Sequence, residues 1–390
     1  MRFDAIIIGG GIIGCTTAYY LSRSGRKVLL IDRGEIASGT TANSFAWANA
    51  STKTNDKTYH DLNVLGQNNY RALAGEFGND ALGLNHTGAL LLVHRDDVSD
   101  YNEAKDQAGI LSSFGYQNEW LDQRQLKLLE PNMNFAADHN ALFTPSDISV
   151  DAPRFTQFMA AQVTKLGGAV WSNCTALELL AADTGTITGL NTDSGEITAE
   201  NIIIATGLST AQTLASITGY DGFTSGFPMS APPGLLLTTP PVSETVLPKR
   251  IIYTSPQNEL HILPEFNGGL KIGSDDIDGL IIDDQSPDNL AKCAQQLLQR
   301  SSEFIPDIFE HVDIKDCTLG IGVRPYPKDG KSIVGPMPDA KRLYIVATHS
   351  GITLAPAIAQ LMTEMLNSDA PPSALIPFGI DRFCGFGGSI

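Results

Sequence analysis

The chain opens Arg2-Phe3-Asp4-Ala5-Ile6-Ile7-Ile8-Gly9-Gly10-Gly11-Ile12-Ile13-Gly14, and this stretch decides its fold. Ala5 to Ile8 is an apolar run of the kind that fills a buried strand, and Gly9, Gly11 and Gly14 read as GxGxxG directly behind it. A helical pattern follows. Val28-Leu29-Leu30-Ile31 then repeats the apolar run and ends on Asp32, eighteen residues beyond Gly14. Strand, glycine turn, helix, strand and terminal acid make the βαβ unit that binds a dinucleotide. Gly9 permits the tight turn, Gly11 lets backbone approach a pyrophosphate, and Gly14 lets helix and strand pack closely. Ile12 and Ile13 open the helix, whose unpaired N–H groups and partial positive charge face the phosphates. Asp32 can accept hydrogen bonds from ribose hydroxyls.

Beyond Asp32, Ser38-Gly39-Thr40-Thr41-Ala42-Asn43-Ser44 is a small, hydroxyl-rich loop placed to return toward those phosphates. Leu62, Leu65, Tyr70 and Leu73 recur at helical spacing and predict a helix from about Tyr59 to Phe77. Leu90 to Val93 reads as a strand, followed by two polar helices ending near Pro131. Ser149-Val150-Asp151 is expected to begin a helix stopped by Gly167-Gly168. Then come a short strand at Ala169-Val170-Trp171, a hairpin from Leu177 to Asn191, and a buried strand, Ile202-Ile203-Ile204-Ala205-Thr206-Gly207. From Phe227 to about Asp276 four apolar stretches punctuated by proline predict antiparallel β structure. A helix from about Pro287 to Phe304, a strand from Leu343 to Ala347 and a helix from Thr353 to Leu366 complete the chain. The expectation is an α/β fold in which a Rossmann-like domain (1–85, 140–215 and 316–390) is interleaved with an antiparallel-sheet α+β substrate domain (86–139 and 216–315).

Composition narrows the function. At 390 residues, 42% hydrophobic and 18% charged, the chain has an ordinary globular composition. A net charge of −17 with no basic cluster argues against nucleic acid. No apolar run is long enough for a transmembrane helix. The first strand starts almost at Met1, which leaves no room for a signal peptide, and the five cysteines are scattered without CxxC, so a reduced, cytoplasmic protein without a metal site is expected. Oligomeric state is not legible.

The chain resembles the D-amino-acid oxidase, glycine oxidase and sarcosine oxidase family of FAD-dependent enzymes over nearly its whole length. The resemblance rests on the glycine unit, Ile204-Ala205-Thr206-Gly207, Gly322-Val323-Arg324-Pro325, Asp329-Gly330, His349-Ser350-Gly351-Ile352-Thr353-Leu354-Ala355-Pro356, and Asp381-Arg382-Phe383. It implies FAD, held by Gly9, Gly11, Ile12, Ile13, Gly14, Asp32 and Arg33. Thr40, Thr41, Asn43, Ser44, Ala46 and Trp47 would join them, as would Thr175, Ala205, Thr206, Gly207, Arg324, Ser350, Gly351, Ile352 and Thr353. Asp32 stands where many relatives carry Glu. The position used by some relatives for a covalent flavin link corresponds to Gly322, so noncovalent FAD is expected.

The resemblance also implies roles at the reacting end. Arg324 would clamp a substrate carboxylate through its planar fork, although an arginine bonding loop carbonyls also satisfies the pattern. Lys271 would promote reaction of reduced flavin with O2, or is an exposed strand lysine beside Asp275 and Asp276. Lys53 lies near a basic residue that binds carboxylate in the sarcosine oxidase branch, or belongs to a surface loop. Tyr253 and His261 fall on strands that line the active site in relatives. Gly351, Ile352 and Thr353 begin a helix whose N-terminus would stabilise negative charge on the flavin. Together these imply oxidation of an amino acid or N-substituted amino acid to an imine by hydride transfer to flavin. Hydrolysis then yields an oxo acid plus ammonia or an amine, with O2 or another acceptor taking the electrons. Two other readings stand: an amine dehydrogenase serving a quinone or partner protein, and a non-catalytic FAD-stabilised subunit.

Overall fold

The structure is a computed structural model and describes residues 1–182, 186–219, 222, 226–254, 259–338, 340–368 and 370–383, so Cys384 lies outside the described residues. Its first sheet carries five parallel strands in the order Ala169–Trp171, Val28–Ile31, Arg2–Ile8, Gly195–Ile204, Leu343–Ala347. Successive residues of the first strand enter opposite cores. Ala5 and Ile7 pack beneath helices Ile12–Arg23, Ala152–Lys165 and Gly351–Ser368, while Ile6 and Ile8 pack toward helix Thr210–Thr218. A strand covered on both faces has no polar positions, which is why its sequence is a continuous apolar run. The strand Ile333–Pro336 and the hairpin Ala176–Ala181 with Ile187–Thr192 extend this sheet antiparallel.

The second sheet has eight strands in the order Thr318–Val323, Pro233–Thr238, Leu270–Ser274, Leu260–Pro264, Ile251–Thr254, Ala89–His94, His139–Thr144, Glu119–Asp122. All neighbours are antiparallel except Ile251–Thr254 beside Ala89–His94. Helix Pro287–Ser301 covers one face through Cys293, Ala294, Leu297 and Leu298. Phe45 and Trp47, from the segment that follows the hydroxyl loop, pack with Ala89, Ile251 and Leu263. The strands His139–Thr144 and Thr318–Val323 stand in this sheet, whereas the boundaries expected at 140 and 316 grouped them with the nucleotide-binding residues. Ser149 and Val150 belong to a strand, Ile148–Val150, and the helix starts after Asp151, whose carboxylate accepts the Arg154 N–H. Among the described residues no helix is long and apolar enough to cross a membrane.

Candidate active site

The glycine turn is built around contacts that exclude a side chain. Gly9 has φ +117°, and a Cβ there would stand 2.4 Å from the Ala205 carbonyl oxygen. A Cβ on Gly14 would fall 1.8 Å from the Gly9 carbonyl oxygen, so helix and strand touch as the sequence requires. Asp32 braces the turn, its carboxylate accepting the Gly10 N–H at 2.5 Å and the Gly34 N–H at 2.7 Å. Carboxylate oxygens have further lone pairs, so ribose recognition is compatible with this bracing. Thr41 Oγ1 accepts the Ile12 N–H at 3.1 Å and caps the first helix, while Thr40 donates to the Val323 carbonyl at 3.1 Å. The hydroxyl loop therefore ties the nucleotide turn to the strand that leads into Arg324.

A cavity of about 660 Å³ runs along this seam. Gly9, Gly11, Ile12, Ile13 and Asp32 line it, as do Arg33, Thr40, Thr41, Asn43 and Ser44. Thr175, Ala205, Thr206, Gly207, Gly351 and Ile352 complete the expected residues found on its walls. Arg33 donates to Ser209 Oγ at 3.2 Å, and Thr175 gives its N–H to Asp193 at 3.0 Å. The volume suits a cofactor-sized ligand. The cavity reaches from the Asp32 acid past the glycine turn to the start of helix Gly351–Ser368, and so fits a two-ended dinucleotide such as FAD.

Gly14, Ala46, Trp47, Arg324, Ser350 and Thr353 are not among the residues lining it. Ala46 takes φ +59°, and Trp47 gives its indole N–H to Asp147 at 3.1 Å. Thr353 accepts the Asn49 N–H at 3.1 Å, and Ser350 Oγ lies 3.2 Å from His349 Nε2. Gly322 explains itself by packing: a Cβ there would meet the Asn43 carbonyl oxygen at 2.1 Å. Cys317, five residues earlier, is not among the residues lining the cavity.

Beside the hydroxyl loop a set of aromatic rings packs on the second sheet. Trp47, Tyr253, His261 and Phe45 form a row of rings with centroids 5.8, 4.8 and 5.6 Å apart. Desolvation and the nearby Asp275 charge push the Tyr253 phenol up to about 12. Arg324 lies across Gly234, with Nη2 2.8 Å from where a Cβ would be. Its guanidinium pairs with Asp278 and, at 3.5 Å, with Asp275. Asp278 also accepts the Leu235 N–H at 2.7 Å. Burial raises the Asp278 carboxyl to about 6 against the pull of Arg324. Asp275 is shared with His261, whose Nε2 stands 3.5 Å from the same oxygen.

Lys53 lies in the loop that follows Ala48. The residue is half-buried, but its ammonium sits deep enough that desolvation lowers it to about 8, and among the described residues it has no ion pair or hydrogen bond. His349, which lines the cofactor cavity and packs on Tyr326 with ring centroids 4.5 Å apart, is pushed down to about 3 by burial and by the Lys53 and Arg324 charges. Lys271 is not exposed. It turns inward to the Ser44 carbonyl at 3.3 Å and pairs at 2.6 Å with Glu265, not with Asp275 or Asp276, since Asp276 is bound to Arg300.

Sequence reasoning missed the support beneath these rings. Asp147 is fully buried and accepts from Trp47, Ser51, Gln67, Tyr116 and Thr144, which ties the Trp47–Ser51 segment to the second sheet. An aspartate inside a Pro-Ser-Asp turn carries no sequence signal for that role. Asp278 was equally hidden, but His349 stood in a quoted motif and needed only its neighbours.

Comparison with known proteins agrees with this geometry. The DAO family, FAD dependent oxidoreductases, is matched over residues 4–365. Glycine oxidase of Bacillus licheniformis is 27% identical over 371 residues, covering 94% of this chain and 93% of its own. The crystal structure of glycine oxidase from Geobacillus kaustophilus superposes with a TM-score of 0.81 at 21% identity, over 98% of this chain and 100% of that one. L-proline dehydrogenase from P. horikoshii reaches the same TM-score at 18% identity, over 98% of both chains. At these identities the structural matches speak for the fold.

Proposed function

Given that the chain belongs to the DAO family of FAD-dependent oxidoreductases, we propose that it oxidises the C–N bond of an amino acid or N-substituted amino acid to an imine, which water hydrolyses to an oxo acid and ammonia or an amine. The observation that carries this reading is the Lys53 ammonium, which is desolvated, has no ion pair or hydrogen bond among the described residues, and acts by its charge on His349 in the wall of the cofactor cavity. A buried cation without a counter-charge is costly, and a substrate carboxylate would relieve that cost. The carboxylate therefore belongs at Lys53. Arg324, offset by Asp278 and Asp275, acts as a positioning residue that holds those acids in place.

FAD, when bound, supplies the hydride acceptor. The chain's own work is orientation and exclusion of water. Trp47, Tyr253 and His261 pack as contiguous rings beside the hydroxyl loop, neutral His349 presents no competing positive charge, and the N-terminus of helix Gly351–Ser368 favours negative charge at that end of the cavity. The unpaired state of the four described cysteines supports a reducing, cytoplasmic location. An anaerobic screen of D-amino acids, glycine, sarcosine, proline derivatives and polyamines tests the reading: one class should bleach the yellow protein. Failure of every amine would leave the subunit reading.

One observation favours a dehydrogenase. Glu265 neutralises Lys271 at 2.6 Å, so the cation that would stabilise developing superoxide is already compensated. A quinone or partner protein is then the electron acceptor, and peroxide production in air decides between the two.

A further inference from the structure

Beyond the glycine turn the cofactor cavity is walled by Cys174, Thr175 and Ala176 and by one face of helix Thr210–Thr218. Both walls are tied to the end of the second strand. The Cys174 N–H donates to the Asp32 carbonyl at 2.8 Å, and Arg33 donates to Ser209, just before the helix, at 3.2 Å. The acid at that strand end is where a dinucleotide places its adenosine ribose, so these walls receive the base. An adenine presents an amino donor beside ring-nitrogen acceptors, and a wall that reads it must offer an acceptor and a donor side by side. Cys174 and Thr175 have no backbone N–H left to give, since the first goes to Asp32 and the second to Asp193 at 3.0 Å. The charged side chains are also engaged, Arg33 with Ser209 and Glu35 with Asn173 at 2.8 Å. On the helix, Gln212, Thr213 and Ser216 line the cavity and have no hydrogen bond among the described residues. Of these three, only Gln212 carries an acceptor and a donor in one plane, on its side-chain amide.

We propose that Gln212 is the residue that selects the cofactor's base: its amide oxygen accepts from the adenine amino group of FAD, and its amide nitrogen donates to the adjacent ring nitrogen. This rests on FAD lying along the Asp32 cavity. The glycine turn cannot exert such a preference, because it meets the pyrophosphate that every flavin dinucleotide carries. A base without the 6-amino group leaves the Gln212 carbonyl without its donor and loses one arm of the pair.

The test reads binding and needs no turnover. Holoprotein is equilibrated with mixtures of FAD and flavin purine dinucleotide, in which purine riboside replaces adenosine and only the 6-amino group is missing. Bound flavins are then released by heat and quantified by chromatography. The natural protein should retain FAD about tenfold over the analogue. Gln212→Leu should bring the two within about twofold of one another. Gln212→Glu keeps an acceptor for the amino group and should preserve the preference. Equal retention of the two dinucleotides by the natural protein overturns the proposal, as does a preference for FAD that survives Gln212→Leu. FMN as a third competitor tests the underlying reading separately. If FMN is retained as well as FAD, the dinucleotide placement itself fails, whatever Gln212 does.

Discussion

Replacing Lys53 by Met should make this protein more stable and less able to bind substrate. Burial lowers the ammonium from 10.5 to about 8, so at pH 7 the folded chain holds a proton it would release far more readily than the unfolded chain does. That difference is worth about 3 kcal/mol, by which Lys53→Met should exceed the natural protein at pH 7. The sign follows from proton counting. Between pH 8 and 10.5 the unfolded chain binds more protons than the folded one, so the natural protein gains stability as pH rises through this window. The advantage of Lys53→Met should accordingly fall to roughly half near pH 9.3 and below about 1 kcal/mol by pH 10. Urea denaturation of both holoproteins at saturating FAD, at pH 7, 8.5 and 9.5, measures it. Hexanoate affinity should meanwhile drop about 30-fold or more, the cost of losing a buried charge pair. A variant no more stable at pH 7, or one whose advantage is constant with pH, would falsify the assignment of Lys53 as a buried, uncompensated cation.

Other outcomes follow from individual contacts. Gly14→Ala places a methyl 1.8 Å from the Gly9 carbonyl oxygen and should yield protein with little bound flavin, seen as a low ratio of 450 to 280 nm absorbance. Heating the natural protein should release FAD, not FMN, into the supernatant, and flavin retained on the denatured chain would contradict noncovalent binding. Arg324→Ala strands the enclosed Asp278 without its cation and should cost about 2 kcal/mol of stability, of which Asp278→Asn in the same chain should restore a large part. Glu265→Gln frees Lys271, and the reduced holoprotein should then consume O2 faster, on the order of tenfold; an unchanged rate would return Lys271 to a structural role.

How much could be read from the chain differs between its two ends. The nucleotide half was legible because its constraints are local. GxGxxG needs no side chains where backbone meets backbone, a strand buried on both faces must be apolar throughout, and an acid at a strand end is visible without knowing its neighbours. Of the expected cofactor residues, all of the glycine turn but Gly14, with the hydroxyl loop and the Ala205-Thr206-Gly207 strand end, line one cavity.

The reacting end depended on contacts between residues far apart in the chain. Arg324 was recognisable as a functional arginine, yet its charge is offset by Asp278, forty-six residues away on a different element. Lys271 was expected near Asp275 and Asp276, but strand pairing turns it to Glu265 across a hairpin. Lys53 sits in a polar stretch that reads as surface loop, and its ammonium is desolvated in a segment whose Trp47 and Ser51 are held by Asp147. The sequence by itself determined the cofactor class and the layers of the fold, since those follow from periodicity and backbone sterics. Which charges are paired and which are left open for a substrate was decided by tertiary structure alone, because an ion's partner and its solvent are set by folded distance and not by position in the chain.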